Sequence, residues 1–314
     1  MERTALIIGA SGGVGGAVAS ALVRHGWKVI GLSRTERPAK DGIDWRVGDA
    51  MSAEDLRRAA QGVDVIFYGA NPPKYQNWDL VCLPMIRNSI AAAEAVGARL
   101  VYPGSVYNFG PNAGALVGEE APQHPQSRKG AIRVAMEAEL EAFANRGGRV
   151  LIVRAGDFFG GASDSSWFNA GLIKAGQALD AVTYPGDPAL GHAWGYLPDL
   201  AETFARLLDR ADKLTAFERF HFQGHWLTGE EIAAALRRAA DKPNAPLKRF
   251  PWWMMKLASP FVGFCREVLE MRYLWQRPLR LDNRKLADFL GAEPHTPLDE
   301  AVRQSLTRVG CLPA

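Results

Sequence analysis

The 314-residue sequence predicts an α/β protein built on a doubly wound parallel sheet, with a smaller, mostly helical C-terminal lobe. Short apolar runs alternate with helix-like segments over the first two-thirds of the chain, as a parallel sheet with crossover helices requires. Two of these runs are nearly all apolar, which is typical of strands covered on both faces. After Arg154 the alternation weakens. We therefore expect the sheet domain at 1–160 and about 191–225, and the smaller lobe at about 161–190 and 226–314.

The predicted strands are short apolar runs, and the predicted helices are the longer segments between them. The strands are expected at Ala5–Ile8, Lys28–Leu32, Asp44–Val47, Val63–Tyr68, Arg99–Tyr102 and Arg149–Val153. The helices are expected at Val14–His25, Ala53–Ala60, Val81–Val96 and Arg128–Ala144. Further along the chain, Trp194–Leu208 and a last strand near Arg219–Phe222 are expected to return to the main sheet.

Charge and cysteine content exclude several classes of protein. The 37 basic and 34 acidic side chains are spread evenly and leave a net charge of +3. Without a basic stripe to neutralise phosphates, we expect no nucleic-acid partner. Cys82, Cys265 and Cys311 lie far apart and form no CxxC motif, so neither a disulfide framework nor a thiolate zinc site is expected.

No targeting or membrane-spanning segment is predicted. The first residues lead directly from a short apolar run into a glycine loop, which indicates a first strand rather than a signal peptide. No uncharged apolar stretch reaches the roughly 18 residues that cross a bilayer. The nearest candidate, 250–265, is interrupted by Pro251, Lys256 and Pro260. We therefore expect a cytoplasmic protein without an integral membrane segment.

A glycine-rich loop directly after the first strand predicts a dinucleotide site. Gly9, Gly12 and Gly15 have the spacing GxxGxxG and stand between a strand and an Ala/Val-rich helix. Such glycines permit a tight turn, let the backbone approach a pyrophosphate and allow close packing of helix on strand. The helix N-terminus then offers unpaired N–H groups to the phosphates. The sequence therefore predicts a Rossmann-type fold rather than a merely structural turn. The predicted cofactor contacts in the loop are Gly9, Ser11, Gly12, Gly13, Val14 and Gly15.

The end of the second predicted strand favours NADP over NAD. An acidic residue at this place would bind the ribose 2′-hydroxyl, whereas an arginine accommodates the 2′-phosphate. Ser33 and Arg34 stand there, and no acid does. The alternative is that Arg34 is an ordinary solvated side chain.

Together, these features resemble the extended and atypical short-chain dehydrogenase/reductase superfamily, in particular its NAD-dependent epimerase/dehydratase branch. The resemblance covers about the first two-thirds of the chain and, more weakly, the rest. It rests on GASGGVG and, in the expected order, on LVYPGSVYNFG, RAGDFFG and WGYLPDLAETF. The resemblance implies further cofactor contacts at Asp49, Ala50, Gly69, Ala70 and Asn71.

The family's hydride chemistry uses a serine and a YxxxK pair on one helix, and this chain departs from that pair. Ser105 fits the serine, but Lys129 stands in place of the tyrosine and Arg133 in place of the lysine. Ser127 is a natural N-cap, so Lys129 falls in the first helical turn, where the helix dipole and Arg133 favour a neutral amine. We therefore predict Ser105, Lys129 and Arg133 as catalytic, with Lys129 moving the proton. The alternative is that Lys129 and Arg133 only bind the cofactor.

Six further residues are predicted to line a substrate pocket. Asp157, Phe158 and Phe159 follow the sixth predicted strand at the carboxyl end of the sheet, where ligands bind, although the two rings could instead belong to the core. The resemblance places His192 and Trp194 toward the substrate, and the alternative is a surface loop. Tyr107 could reach into the cleft, and the alternative is a packing residue. His221 and His225 are spaced like metal ligands, but they lie near a strand end and lack the HExxH glutamate, so no metal is expected.

The predicted function is that of an NAD(P)-dependent oxidoreductase or epimerase acting on a small organic substrate, as a monomer or homodimer. The alternative is a sensor that binds NAD(P) without turnover, which the missing tyrosine favours. The apolar run 251–257 is open to four interpretations: a satellite core, a dimer face, a lid or a membrane-surface helix. We favour the core, since large apolar residues are usually buried.

Overall fold

The structure, a computed structural model, describes residues 3–72, 77–161 and 166–313. Its strands are β1 Thr4–Ile8, β2 Lys28–Ser33, β3 Ile43–Val47, β4 Val65–Tyr68, β5 Arg99–Ser105, β6 Leu116–Val117, β7 Arg149–Ala155, β8 Asp157–Phe159, β9 Val182–Tyr184, β10 Gly191–Tyr196, β11 Phe217–His221, β12 His225–Thr228, β13 Leu247–Arg249 and β14 Arg280–Leu281. Its helices are α1 Gly13–Arg24, α2 Ala53–Ala59, α3 Trp78–Val96, α4 Arg128–Asn145, α5 Leu197–Asp209, α6 Gly229–Ala239, α7 Trp252–Ala258, α8 Gly263–Glu270, α9 Arg284–Leu290 and α10 Leu298–Arg308.

Seven parallel strands form the main sheet in the order β11-β7-β5-β4-β1-β2-β3. Helices α1 and α5 pack together on one face, and α2, α3 and α4 cover the other. The predicted doubly wound α/β fold is therefore confirmed. The chain runs from β1 to β2 and β3 on one side of the sheet and then returns to place β4 on the other side of β1. A crevice therefore opens at the carboxyl ends of these strands, where open α/β sheets bind ligands.

The segment predicted to return to the main sheet does so only in part. Strand β11 pairs with β7, and α5 packs on α1, as predicted. Strand β10, however, pairs with β8 and β12 in a separate three-stranded sheet. The reason lies at Gly156, where an added Cβ would stand 2.2 Å from the Ala193 carbonyl oxygen. This close approach lets the chain continue past the carboxyl end of β7 into β8, which pairs with β10.

The remaining segments pack around a third cluster of apolar side chains. This core includes Phe168, Tyr184, Trp194, Leu236 and Trp275. It contains the small strand pairs β9–β13 and β6–β14 beside its helices. Because β8 and β10 connect this core to the main sheet, the domain boundaries drawn from the sequence stay a prediction.

Candidate cofactor and substrate cleft

The glycine loop after β1 has no room for a side chain at Gly9 or Gly15. Gly9 has a φ of +88°, and an added Cβ there would lie 2.9 Å from the backbone nitrogen of Ala70. A Cβ on Gly15 would lie 2.3 Å from the Gly9 carbonyl oxygen. The loop is closed by the Gly12 amide, which donates to that same oxygen at 2.9 Å. The glycines are therefore required where β1, α1 and the loop after β4 meet.

The N-terminus of α1 fits a diphosphate. Its N-cap is Gly12, which supplies no side-chain oxygen, and its first turn carries no acidic residue. The first amides of the helix are thus left for an anion, and the helix dipole favours one there. Gly12, Gly13 and Val14 line the cleft, whereas Ser11 is exposed beside it. The residues present at this place fit a dinucleotide cofactor.

Two arginines, not one, stand at the end of β2. Arg34 is exposed, as expected for a side chain that reaches a ligand or solvent. Arg37 donates from Nε to Ser33 Oγ at 3.1 Å, and its guanidinium lies 5.0 Å from the ring centroid of Trp45 on β3. Sequence reasoning missed Arg37, since only the pairing of β2 with β3 places Trp45 under it.

The other predicted cofactor contacts follow β3 and β4. The Asp49 amide donates to Asp55 Oδ2 at 3.0 Å, and Asp49 Oδ1 accepts from the Met51 amide at 2.9 Å, so this turn is well braced. The buried Ala50 accepts a hydrogen bond at its carbonyl from Asn88. After β4, the cleft is lined by Gly69 and Asn71, and the half-buried Ala70 lies between them.

Arg133 on α4 reaches the cleft. It lies under Asn71, donating from Nη2 to the Asn71 side-chain oxygen at 2.9 Å and from Nη1 to the Tyr102 hydroxyl at 2.5 Å. Its guanidinium stands 4.8 Å from the Trp78 ring centroid. Burial raises the pKa of Tyr102 to about 12, so the hydroxyl that accepts from Arg133 stays neutral. The buried Nε of Arg133 has no hydrogen-bond partner in the described part of the chain.

Lys129, one turn earlier on α4, does not line the cleft. Its side chain is 2% exposed, and its amine donates to Glu270 Oε2 at 2.7 Å and to Glu267. Both glutamates lie on α8. The helix-dipole argument for Lys129 did not include these two carboxylates, which contact its amine directly. A role for Lys129 in proton transfer stays a prediction, whereas its contacts show that it holds α8 against α4.

Replacing Lys129 by methionine tests this structural role. The change leaves the half-buried Glu270 without its cation and leaves Glu267 with only the exposed Arg128, so we expect the free energy of unfolding to fall by about 2–4 kcal/mol. Chemical denaturation would measure it. Adding Glu267→Gln and Glu270→Gln is expected to restore most of the loss, because the only charge left without its partner among these residues is the exposed Arg128. Lys174→Met, which breaks an exposed pair with Asp180, is the control and is expected to cost below about 1 kcal/mol. Unchanged stability with lost turnover would instead favour Lys129 as the proton carrier.

Ser105 and Tyr107 stand together at the end of β5, and both line the cleft. The Tyr107 amide donates to Ser105 Oγ at 3.3 Å, which orients the serine oxygen. The start of α4 packs directly below, since an added Cβ on Gly130 would lie 2.2 Å from the Tyr107 carbonyl oxygen. The structure thus brings Ser105, Tyr107 and Arg133 to one cleft.

Asp157 and His192 form a buried carboxylate–imidazole pair beside the cleft. Asp157 Oδ2 stands 2.8 Å from His192 Nε2, and both residues are 8% exposed. The His192 ring stacks on Trp275 at a centroid distance of 3.9 Å and an interplanar angle of 7°. Asp157 is among the residues that line the cleft and His192 is not, so Asp157 is the member of the pair at the cleft surface.

The remaining predicted pocket residues divide between cleft and core. Phe158 lines the cleft, but Phe159 and Trp194 are wholly buried in the third apolar cluster, where Phe159 contacts Tyr196. They support the pocket rather than form its wall. Sequence reasoning missed Trp167, which lines the cleft from a segment without clear periodicity.

The two histidines considered as metal ligands have separate environments. The His221 ring contacts the Val117 carbonyl and Arg154, and burial lowers its pKa to about 3. His225 instead lies beside Asp199 and His295, and the possible ligand atoms of these three fall within 4.8 Å of one another. Both Asp199 oxygens accept hydrogen bonds from Thr296 at 2.7 Å. These two hydrogen bonds are enough to explain the position of the carboxylate.

The sequence itself decides the family. The profile of the NAD dependent epimerase/dehydratase family matches residues 5–221, more than half of the chain. The chain belongs to this family. No curated protein sequence matches this epimerase/dehydratase family member. In the described part of the chain, no helix combines the length and the apolar character that a membrane crossing needs.

Solved structures share the fold of this family member at low identity. UDP-N-acetylglucosamine 4-epimerase from Bacillus cereus is 16% identical with a TM-score of 0.75, covering 97% of this chain and 98% of its own. UDP-glucose 4-epimerase from Bifidobacterium longum, in complex with NAD+ and UDP, is 16% identical with a TM-score of 0.73, covering 98% of both chains. A GalE-like L-threonine dehydrogenase from Cupriavidus necator is 18% identical with a TM-score of 0.74, covering 97% and 99%.

Proposed function

We propose that this protein is an NADP-dependent oxidoreductase or epimerase that acts on a small organic substrate carrying a hydroxyl or carbonyl group. The observation that carries the proposal is a single cleft joining the glycine cradle to Ser105 and the Asp157–His192 pair. One side fits a dinucleotide, and the other supplies a hydroxyl and a carboxylate that can bind and deprotonate an alcohol.

The chemistry divides between these side chains. A bound nicotinamide supplies or accepts hydride. Ser105 donates a hydrogen bond to the reacting oxygen of the substrate. Asp157 takes the proton from that oxygen during oxidation and returns it during reduction, while His192 orients the carboxylate from behind. Arg133 binds the cofactor from below Asn71, and the absent tyrosine is not needed in this scheme.

The cleft favours a small substrate over a nucleotide sugar. Among its described lining residues, Arg133 is the cationic one, and its guanidinium already contacts Tyr102 and Asn71. Asp157 adds a negative charge, and aromatic rings such as Phe158 and Trp167 form the rest of the far wall. A second diphosphate would need further cationic partners, and apart from Arg133 the described lining residues include no lysine or arginine. The threonine dehydrogenase of similar fold has a small substrate in its name, whereas the 4-epimerases are named for UDP-sugars.

Turnover is tested with purified protein and NADPH. We expect NADPH fluorescence to change on binding and NADPH to be oxidised by at least one member of a panel of small aldehydes and ketones. UDP-glucose in the same panel tests the second substrate class. Tight binding of NADPH with no oxidation across the panel would favour the sensor, the alternative suggested by the missing tyrosine.

The preference for NADP is proposed from the two arginines after β2. Replacing Arg34 by alanine removes a charge-assisted contact to the 2′-phosphate, so we expect NADPH affinity to fall by about 10- to 100-fold. NADH affinity is expected to stay within about twofold, because NADH has no such phosphate. Calorimetric titration of both nucleotides gives the ratio. Arg24→Ala, an exposed change on α1, is the control. Equal losses for NADPH and NADH would contradict the assignment.

A further inference from the structure

Helices α7 and α8 expose an unusual number of large apolar side chains. Trp253 is 67% exposed, Leu257 68% and Phe261 89%. Met254, Val262 and Phe264 are exposed beside them, so six such side chains fall within 12 residues. The expectation that 251–257 forms a satellite core is therefore wrong for most of its length. We call this surface, with the basic residues around it, the α7–α8 face.

The opposite side of the same hairpin is firmly attached. Trp252 donates from its ring nitrogen to the Pro185 carbonyl at 2.6 Å and packs on Trp167 and Phe250. On α8, Cys265 and Val268 are buried. The exposed side chains therefore belong to two helices that are packed on the protein, and not to a detached segment.

Exposed basic residues accompany the exposed apolar ones in this part of the chain. Lys248, Arg249, Lys256, Arg266 and Arg272 are all exposed. Between residues 247 and 281 the sequence contains two acids, Glu267 and Glu270. Both are half-buried and engaged by Arg128 and Lys129 on α4. The α7–α8 face is therefore apolar and cationic, with its acids turned toward the protein.

We propose that the α7–α8 face binds the surface of a lipid bilayer that contains anionic lipids. Tryptophan, phenylalanine and leucine on one side of short helices, flanked by lysine and arginine, suit the boundary between headgroups and acyl chains. The cations match the negative surface potential of such a bilayer. The helices are too short to span it, so the protein lies on the membrane through this face.

Two other occupants fit the observations less well. A two-fold dimer through this face would bring like charges against like charges across the interface, which disfavours it. An acidic amphipathic helix from another protein would need a groove. Phe261, in the connection between α7 and α8, is instead the most exposed of these six apolar residues, as a side chain lining a groove would not be.

Co-sedimentation of the full-length protein with vesicles tests the proposal. We expect binding to vesicles of phosphatidylcholine with phosphatidylglycerol, weaker binding to phosphatidylcholine alone, and weakening by added salt. The double variant Leu257→Gln/Phe261→Ser is expected to bind about tenfold less, because it removes two inserted side chains. Leu80→Gln/Leu116→Gln changes two exposed leucines elsewhere and is expected to bind like the unmodified protein. Thermal melts serve as the control that each variant is folded.

The possible results distinguish a lipid bilayer from a second copy of the chain as the partner of the α7–α8 face. Failure to bind anionic vesicles, or equal binding by both double variants, overturns the proposal. If sedimentation velocity shows a dimer that Leu257→Gln/Phe261→Ser dissociates, and vesicles do not bind, a second copy covers the face instead. The proposal does not depend on the proposed enzymatic activity, and none of these variants touches the cleft.

Discussion

Replacing Asp157 by asparagine is expected to lower kcat by about 10²- to 10⁴-fold, the contribution usual for a positioned acid–base group. The asparagine keeps the shape and the contact to His192 but cannot accept the substrate proton. The affinity for NADPH is expected to remain within about twofold, since the proposed role of the carboxylate is toward the substrate and not the cofactor. Steady-state kinetics with the substrate found in the panel, together with NADPH titration, measure both quantities.

His192 has a different expected signature, because it acts through Asp157. Replacing His192 by asparagine is expected to lower kcat less than Asp157→Asn and to move the acidic limb of the pH–rate profile, whereas a purely structural role would leave the profile in place. Asp187→Asn, at an exposed aspartate of the same region, is the control for charge removal. If Asp157→Asn turns over like the unmodified enzyme, the pair is not the proton carrier.

Replacing Gly15 by alanine is the second change with a large expected effect. The added Cβ would stand 2.3 Å from the Gly9 carbonyl oxygen, and because both partners are backbone, the loop between β1 and α1 must move. We expect NADPH to bind about 100-fold more weakly, equivalent to about 2.7 kcal/mol, since the amides that hold the diphosphate lose their arrangement. Calorimetry of NADPH binding measures the loss.

The control for Gly15 is Gly118→Ala. An added Cβ at Gly118 meets nothing within 4 Å, so this variant is expected to bind NADPH normally. Circular dichroism and a thermal melt separate lost binding from lost folding in Gly15→Ala. A folded Gly15→Ala protein that retains full NADPH affinity would show that the glycine loop is not the cofactor site, and the proposed function would fall with it.

The cofactor side of the cleft could be anticipated because its signals are local. Gly9, Gly12 and Gly15 lie within seven residues, and the strand before them and the helix after them are periodic enough to identify. The choice of Arg34 required only the position of the second strand. Arg37 could not be selected in the same way, because its place depends on Trp45 in a neighbouring strand.

The substrate side depended on contacts between distant parts of the chain. Asp157 and His192 are 35 positions apart, and Trp275 completes the pair from a third segment. Lys129 meets Glu267 and Glu270 across 138 and 141 positions. The helix-dipole argument for Lys129 considered α4 alone and omitted these carboxylates, which come from a distant part of the chain.

By itself, the sequence determined the α/β class, the alternation of strands and helices and the glycine cradle, since strand and helix periodicity and the freedom of glycine act over a few residues. Tertiary structure alone decided the separation of β10 from the main sheet, the pairing of Asp157 with His192, the burial of Lys129 and the outward direction of the α7–α8 face. Each of these depends on which distant segment supplies the neighbour, and burial and charge compensation are properties of that neighbour rather than of the residue itself.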